Sequence, residues 1–472
     1  MPTSNKISFR QVKRNVVLSI TVQIISLGVS FILNLILPKY IDEANYALWQ
    51  SFLLYSGYVG ILHFGLLDGI VLRYSQYDYE ELDKARISSQ FRLMLSALSV
   101  FCLTGVIVSS CVSNSQTSNV ILFVAITILT KNLFTYNSYL LQLTNRINNY
   151  ATVIIGQRIS FGFLVIVFII IGIQDFRVYC CAEILGDLYG SLIASRHNRG
   201  LYFSMENNIP ATFYEGWKNI SAGVNILFAT WASILFLGSA RMIIQWHWGL
   251  LIFGKVSFAF SLSHLALSLV TAISVVLFPS IKRIDKEKLP LVYKKIRTYA
   301  APLLVCILIL YYPGCCLLRM WLPKYADSLV YLGMTLPIIV YSTEVNLLTN
   351  NYLKAYRKER TLFSINIVTL VVAICGYVII TYLFDNLYLL LLWAVFVVAA
   401  RSIVSELIVE KMLGIQFKVE HLIELVMTII FIYFSTFFQS ENGWIYYGVA
   451  VIFYLLIVFL KQNSKREIKN IA

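Results

Sequence analysis

Lysine and arginine are scarce inside long apolar stretches, so Lys131, Arg158 and Arg401, each set in one, raise the first chemical question about this sequence. A cation held away from water costs at least about 2.5–3.5 kcal/mol and marks a place where it pairs with something. Two kinds of partner suit it: a carboxylate of the chain itself, or an anion brought from outside. Candidate carboxylates stand at Asp68, Glu183, Asp187, Glu344 and Glu406. Glu183 and Asp187 are four residues apart and share one helix face, where adjacent carboxylates favour retaining a proton. They read either as a site for a coupling proton or sodium ion or as structural partners of Arg158. Lys255 is a fourth candidate cation, but it lies nine residues from His264, on the opposite side of a helix.

Uncharged polar residues recur at helical spacing in four of the same stretches. One contains Gln23 and Asn34, a second Thr135 and Ser138 on the face of Lys131, a third His264, and a fourth Asn346 and Asn350. Such stripes serve as hydrogen-bond glue between helices or line a water-filled cavity. Four of them, two in each half of the chain, favour the cavity. His63 reads as a satisfied interior histidine.

The elements that must hold these side chains follow from composition. The 472 residues are 58% hydrophobic and 13% charged, whereas a soluble domain carries about 25% charged residues. About twenty apolar residues in helical form span a bilayer core. Fourteen apolar runs reach that scale, at about 16–38, 46–72, 91–112, 118–144, 151–173, 178–195, 219–245, 249–278, 299–321, 328–353, 361–384, 387–411, 420–439 and 443–461. Without water to satisfy the backbone these runs must be helices. The expectation is an all-α integral membrane protein of about fourteen transmembrane helices, the first of them retained.

Basic residues alternate along the chain. Thirty of the 38 fall in the N-terminal segment, in every second loop, including Lys282–Arg297, and in the C-terminal tail, while the other loops hold only Lys39, Arg177 and Lys324. Cytoplasmic loops are enriched in Lys and Arg, so both termini are expected in the cytoplasm. The net charge of +14 is thereby topological, and no nucleic-acid partner is expected. Residues 69–95 echo residues 274–300, which with the helix count suggests two six-helix lobes of like orientation around a central cavity. The expected division is 1–205, 206–414 and a C-terminal helix pair at 415–472. The eight cysteines show no metal-ligand spacing with histidine, so no metal site is expected.

Certain segments have a familiar pattern: "KRNVVLSITVQIISLGVSFILNLILPKYIDEANYALWQSF", "FGLLDGIVLRYSQ", "VVLFPSIKRI" and "MWLPKYADSLVYLGMTLPIIVYSTEVNLLTNNYLKAYRKERTLF". The chain resembles, over nearly its whole length, polysaccharide-biosynthesis (O-antigen) flippases of the Wzx type. These belong to the MATE-like (MOP) exporter superfamily. The resemblance implies alternating-access translocation of an undecaprenyl-pyrophosphate-linked oligosaccharide across a bacterial inner membrane. No catalysis or cofactor is implied, beyond coupling to a proton or sodium gradient. Expected partners are this substrate, membrane lipids and the polymerase or ligase of the same glycan pathway. Lys131, Arg158, Arg401 and Lys255 then read as diphosphate ligands, and Trp49 and Tyr352 as surfaces for sugar rings. A MATE-type small-molecule exporter is the alternative, with a glycan polymerase disfavoured by short outer loops.

Overall fold

The computed structural model describes residues 9–202, 204, 208–283, 286–438 and 442–471. Side chains before residue 18, from 269 to 286 and after 460 lie outside the description, and with them the basic residues Lys6–Arg14, Lys282–Lys286 and Lys461–Lys469. All secondary structure among the described residues is helical. In chain order the helices are α1 (Phe9–Phe31, running on to Tyr40), α2 (Glu43–Ser56, with Val59–His63 and Leu66–Tyr74), α3 (Lys84–Cys111), α4 (Ser115–Leu143) and α5 (Ile147–Ile171). They continue as α6 (Phe176–His197), α7 (Ile209–His247), α8 (Leu250–Arg283), α9 (Leu289–Trp321) and α10 (Ser328–Ala355). The last four are α11 (Glu359–Phe384), α12 (Leu387–Leu413), α13 (Lys418–Phe437) and α14 (Gly443–Ile471).

Each of the fourteen apolar runs thus falls on a helix. Ten spans among the described residues are long and apolar enough to cross a membrane, and twelve if the broken α2 and α7 each count once. The helix α6 falls short because Arg177, Glu183, Asp187 and Arg196 dilute its apolar length. The chain forms two compact units, Met1–Trp231 and Ala232–Ala472, with the division inside α7.

In the first unit α3 packs on α4, α4 and α5 on α6, and α1 on α5. The run expected as one helix over 46–72 is interrupted. Phe64 and Gly65 take left-handed backbone angles, φ 50° and 84°, and a short 3-10 turn precedes them. His63 Nδ1 accepts a hydrogen bond from the Gly65 N–H at 3.2 Å, so this histidine is satisfied locally as expected. The returning segment Leu66–Tyr74 lies directly on the first half of α7. A Cβ on Gly69 would stand 1.8 Å from the Asn219 carbonyl oxygen, and one on Gly223 would stand 2.0 Å from that of Gly65. Small residues here let two backbones meet, as helix contacts in lipid require.

In the second unit α10 is the central element, with 72% of its apolar window buried, followed by α12 with 56%. The helices α8, α12 and α13 pack on α10, and α13 also contacts α9 and α14. The helix α9 starts at Leu289, ten residues before its apolar run. Leu289, Tyr293, Arg297, Ala301 and Leu304 form a buried stripe at helical spacing, while Lys294 is exposed. Arg297, assigned from sequence to a cytoplasmic loop, is therefore an interior residue, 2% exposed.

Replacing Gly69 or Gly223 by Ala is expected to destabilise the first unit by about 1–3 kcal/mol, since backbone rather than a flexible side chain must move. The check is the thermal midpoint of detergent-purified protein, with Gly28→Ala, where no atom lies within 4 Å of the added Cβ, as the unaffected control.

Candidate functional site

The interior charges collect in two places, one in each unit. In the first unit α4 and α6 lie side by side and bring Lys131 Nζ to 3.3 Å from Glu183 Oε1. One helical turn on, Asp187 Oδ1 accepts from Gln157 Nε2 on α5 at 3.0 Å. Glu183 and Asp187 share a face as their spacing predicts, but they hold different partners. Each also keeps a buried carboxylate oxygen, Oε2 and Oδ2 respectively, with no hydrogen-bond partner among the described residues. Arg158, half-buried next to Gln157, acts electrostatically on Asp187. Lys131 is about a third exposed, so it is both paired and reachable.

The second unit holds a denser cluster, built around Arg297. Its Nε donates to Glu406 Oε2 at 2.7 Å, and its two terminal nitrogens grip both oxygens of Glu424, Nη2 to Oε2 at 2.7 Å. Glu344 Oε1 lies 3.7 Å from Nη1, and Ser402 donates to Glu344 Oε2 at 3.2 Å. Arg297 Nη2 also faces His421 Nδ1 at 3.2 Å, and His421 Nε2 faces Glu410 Oε1 at 2.8 Å. A guanidinium only donates, so Nδ1 must be the acceptor and Nε2 must carry the proton. His421 is therefore the neutral tautomer that donates to Glu410. The other Glu410 oxygen takes the Phe417 N–H at 3.1 Å. Every one of these charged side chains is buried, at 2% exposure or less except His421 at 5%.

Helical registers explain the convergence. Glu406 and Glu410 are one turn apart on α12, His421 and Glu424 one turn apart on α13, and Tyr293 and Arg297 one turn apart on α9. Of this cluster the sequence pattern singles out only Glu344 and Glu406. Paired acids and an acid–histidine pair at three- and four-residue spacing inside apolar runs are the signal that points to the rest.

Ligand atoms of Glu406, Glu410 and His421 lie within 4.8 Å of one another, a spacing that raises the question of a metal ion. The donor set does not fit one. Both imidazole nitrogens and one Glu406 oxygen are already engaged in hydrogen bonds, with Arg297 and Glu410 as the partners.

The remaining candidates are dispersed. Arg401 is buried on α12, with its guanidinium 5.3 Å from the centre of the Phe236 ring, a cation–π distance. Lys255 reaches Asp327 Oδ2 at 2.8 Å, a pairing with a carboxylate that is 77% exposed. His264 is exposed on α8, and Asp68 is half-buried in the first turn of Leu66–Tyr74. Gln23 is half-buried on α1, as are Asn346 and Asn350 on α10, where Asn350 Nδ2 donates to Asn346 Oδ1 at 3.1 Å.

Three of the stripe residues bond within their own helices. Asn34 donates to the Ser30 carbonyl, Thr135 to that of Lys131 and Ser138 to that of Phe134, each four residues back on its own helix. Two stripes also include a π-helical turn, Ile32–Ile36 around Asn34 and Val345–Thr349 around Asn346. Such turns concentrate at functional sites.

Two aromatic assignments need correction. Trp49 is fully buried, 5.5 Å from Phe52 and edge-on to Tyr179, and Tyr352 is fully buried, edge-on to Tyr293. Both are core residues with no ring face free for a sugar.

Removing the cationic centre of a buried network leaves unpaired charge, so Arg297→Ala is expected to cost about 3–5 kcal/mol. Arg297→Lys should rescue little of it, since an ammonium cannot grip Glu424 with two nitrogens while bonding Glu406. Thermal midpoints of the two variants decide this, and a Lys variant as stable as wild type would refute the geometric account.

No protein-family model matches the chain, and no curated protein matches it in sequence. Its fold has solved counterparts. An inward-facing MATE-family multidrug resistance transporter of the MOP superfamily superposes with a TM-score of 0.63 at 13% identity, covering 83% of this chain and 98% of that one. An outward-facing MATE-family transporter gives 0.58 at 14% identity, covering 85% and 96%. The lipid II flippase MurJ, in an inward closed conformation, gives 0.65 at 14% identity and covers 97% of this chain and 100% of its own. The chain is a multi-pass membrane protein with the fold of MOP-superfamily transporters.

Proposed function

We propose that the protein is a flippase that carries a polyprenyl-pyrophosphate-linked oligosaccharide between the leaflets of a bacterial inner membrane, with both termini in the cytoplasm. The observation that carries this reading is an apolar groove between α13 and α14. It encloses about 680 Å³ and is lined by Val426, Ile430 and Phe434 on one helix and Val449, Phe453 and Ile457 on the other, with no charged residue along it among the described residues. A groove of that character suits a long hydrocarbon chain rather than a small polar solute. The solved flippase matches 97% of the chain, whereas the two MATE-family transporters match 83% and 85%. This difference favours a lipid-linked cargo over the small-molecule exporter alternative.

For the head of such a substrate, a diphosphate needs fixed cations and the sugars need hydroxyl and amide partners. Lys131 in the first unit and Arg401 in the second are the residues we assign to the diphosphate, with Arg158 and Lys255 as weaker candidates. Gln23, Asn34, Thr135, Ser138, His264, Asn346 and Asn350 are assigned to the glycan. Glu183 and Asp187 are assigned to ion coupling. The polymerase or ligase of the same glycan pathway is the proposed downstream partner. The chemistry requires no covalent step, so the protein acts as a carrier.

Deleting the gene should leave lipid-linked oligosaccharide on the cytoplasmic leaflet with synthesis intact and surface glycan lost. Normal surface glycan, or short unpolymerised glycan on the outer leaflet, would overturn the assignment. Within the protein, Lys131→Gln and Arg401→Gln should each abolish translocation at normal membrane levels. Ala450→Trp, which fills the groove, should slow translocation at least tenfold in reconstituted vesicles, and unchanged rates would remove the groove from the mechanism.

A further inference from the structure

We propose that the Arg297 cluster is a proton-binding site, with Glu344 and Glu406 as the protonated groups, whose occupancy seats α13 on its neighbours. The site is independent of what the protein transports. Its facing groups are Tyr293 and Arg297 from α9, Tyr341 and Glu344 from α10, Glu406 and Glu410 from α12, His421 and Glu424 from α13, and Tyr454 from α14.

Charge balance leads to this assignment. Four carboxylates face one guanidinium, and the hydrogen bonds of His421 require it to be neutral, so full ionisation would bury three uncompensated negative charges. An apolar interior does not tolerate that. The hydrogen bonds indicate where protons belong. Both oxygens of Glu424 are held by Arg297, and both oxygens of Glu410 accept N–H bonds, so these two are built as carboxylates. Glu344 Oε1 and Glu406 Oε1, by contrast, are buried acceptors with no hydrogen bond among the described residues.

An independent observation points to the same place. The Tyr293 hydroxyl is fully buried without a hydrogen-bond partner among the described residues, and its electrostatic neighbours are Glu406, Arg297, Glu410 and Glu344. A proton on a carboxyl oxygen converts an orphan acceptor into a donor beside an orphan hydroxyl.

The helix α13 is the element that responds, because it supplies both Glu424 and His421 to the cluster. Loss of the two protons would put Glu344 on α10 and Glu406 on α12 in repulsion with Glu424 on α13. Ser435 and Thr428 are the polar α13 groups left to hold it, Thr428 through Tyr341 at 2.8 Å. The lipid groove is lined by the same helix, so its shape follows the same protons.

The sign follows directly. Protons stabilise the seated state, so this contribution is fully present below the pH at which a free carboxylic acid ionises and is lost progressively as pH rises from there. The test uses the full chain, reconstituted in lipid nanodiscs. Infrared spectra of wild type at neutral pH should contain a protonated-carboxyl stretch that Glu344→Gln and Glu406→Gln each diminish. The double variant should lose both contributions, and its thermal midpoint should stay level where that of wild type falls with rising pH. Should the double variant fail to fold, Glu344→Gln decides alone, since the one hydrogen bond Glu344 accepts among the described residues comes from Ser402. Spectra that superimpose on wild type would overturn the proposal. So would a stoichiometric metal ion found by elemental analysis in wild type and lost in Glu410→Gln, which would make the cluster a metal site instead.

Discussion

Inside an apolar bundle a charge has no solvent to fall back on, and the second unit is organised around that constraint. Arg297 is acceptable at 2% exposure only because Glu406 and Glu424 meet it with geometry that uses the planar fork in full. The partners come from helices that need not otherwise touch at this depth. One guanidinium therefore fixes the rotation of α9, α12 and α13 about their axes, a degree of specification that apolar contacts alone supply weakly. The tyrosines around it extend the same layer, with Tyr293 edge-on to Tyr352 and Tyr341 bonded to Thr428.

The first unit treats its buried charges more openly. Lys131 and Glu183 are paired at 3.3 Å, yet the ammonium remains about a third exposed. The contrast with Arg297 is one of access, since Arg297 is closed off at 2% exposure. The hydroxyls of Thr135 and Ser138 close on carbonyls of their own helix.

Close backbone approach is the other device of the fold. Gly65, Gly69 and Gly223 bring Leu66–Tyr74 against α7 at distances that no side chain permits. Arg73 then bonds Asn219 at 2.5 Å and Glu215 at 2.6 Å, so a polar clamp sits at the end of an apolar seam. Packing and polar pairing act on one helix pair in sequence, the first bringing the backbones together and the second setting their register.

Much of this architecture is legible in the order of the residues. Hydrocarbon forces backbone polar groups into helices, so apolar run length alone determines the all-helical class and the number and order of the helices. The interior placement of Lys131, Arg401, Glu344 and Glu406 follows from the same runs. Other features are not legible, and the reasons are physical. The break in α2 depends on two left-handed residues, one of them Phe64, a residue type that gives no warning of it. Arg297 lies among loop-like lysines, and its partners are 109 and 127 residues away, so nothing local distinguishes it from a topogenic charge. Trp49 and Tyr352 resemble binding surfaces in the sequence because composition cannot tell which face of a helix is covered. Where helices form is readable from residue order, because it is a local competition between hydrocarbon and water. Which charges meet is set by three-dimensional packing, because pairing depends on the rotation of helices far apart in the chain.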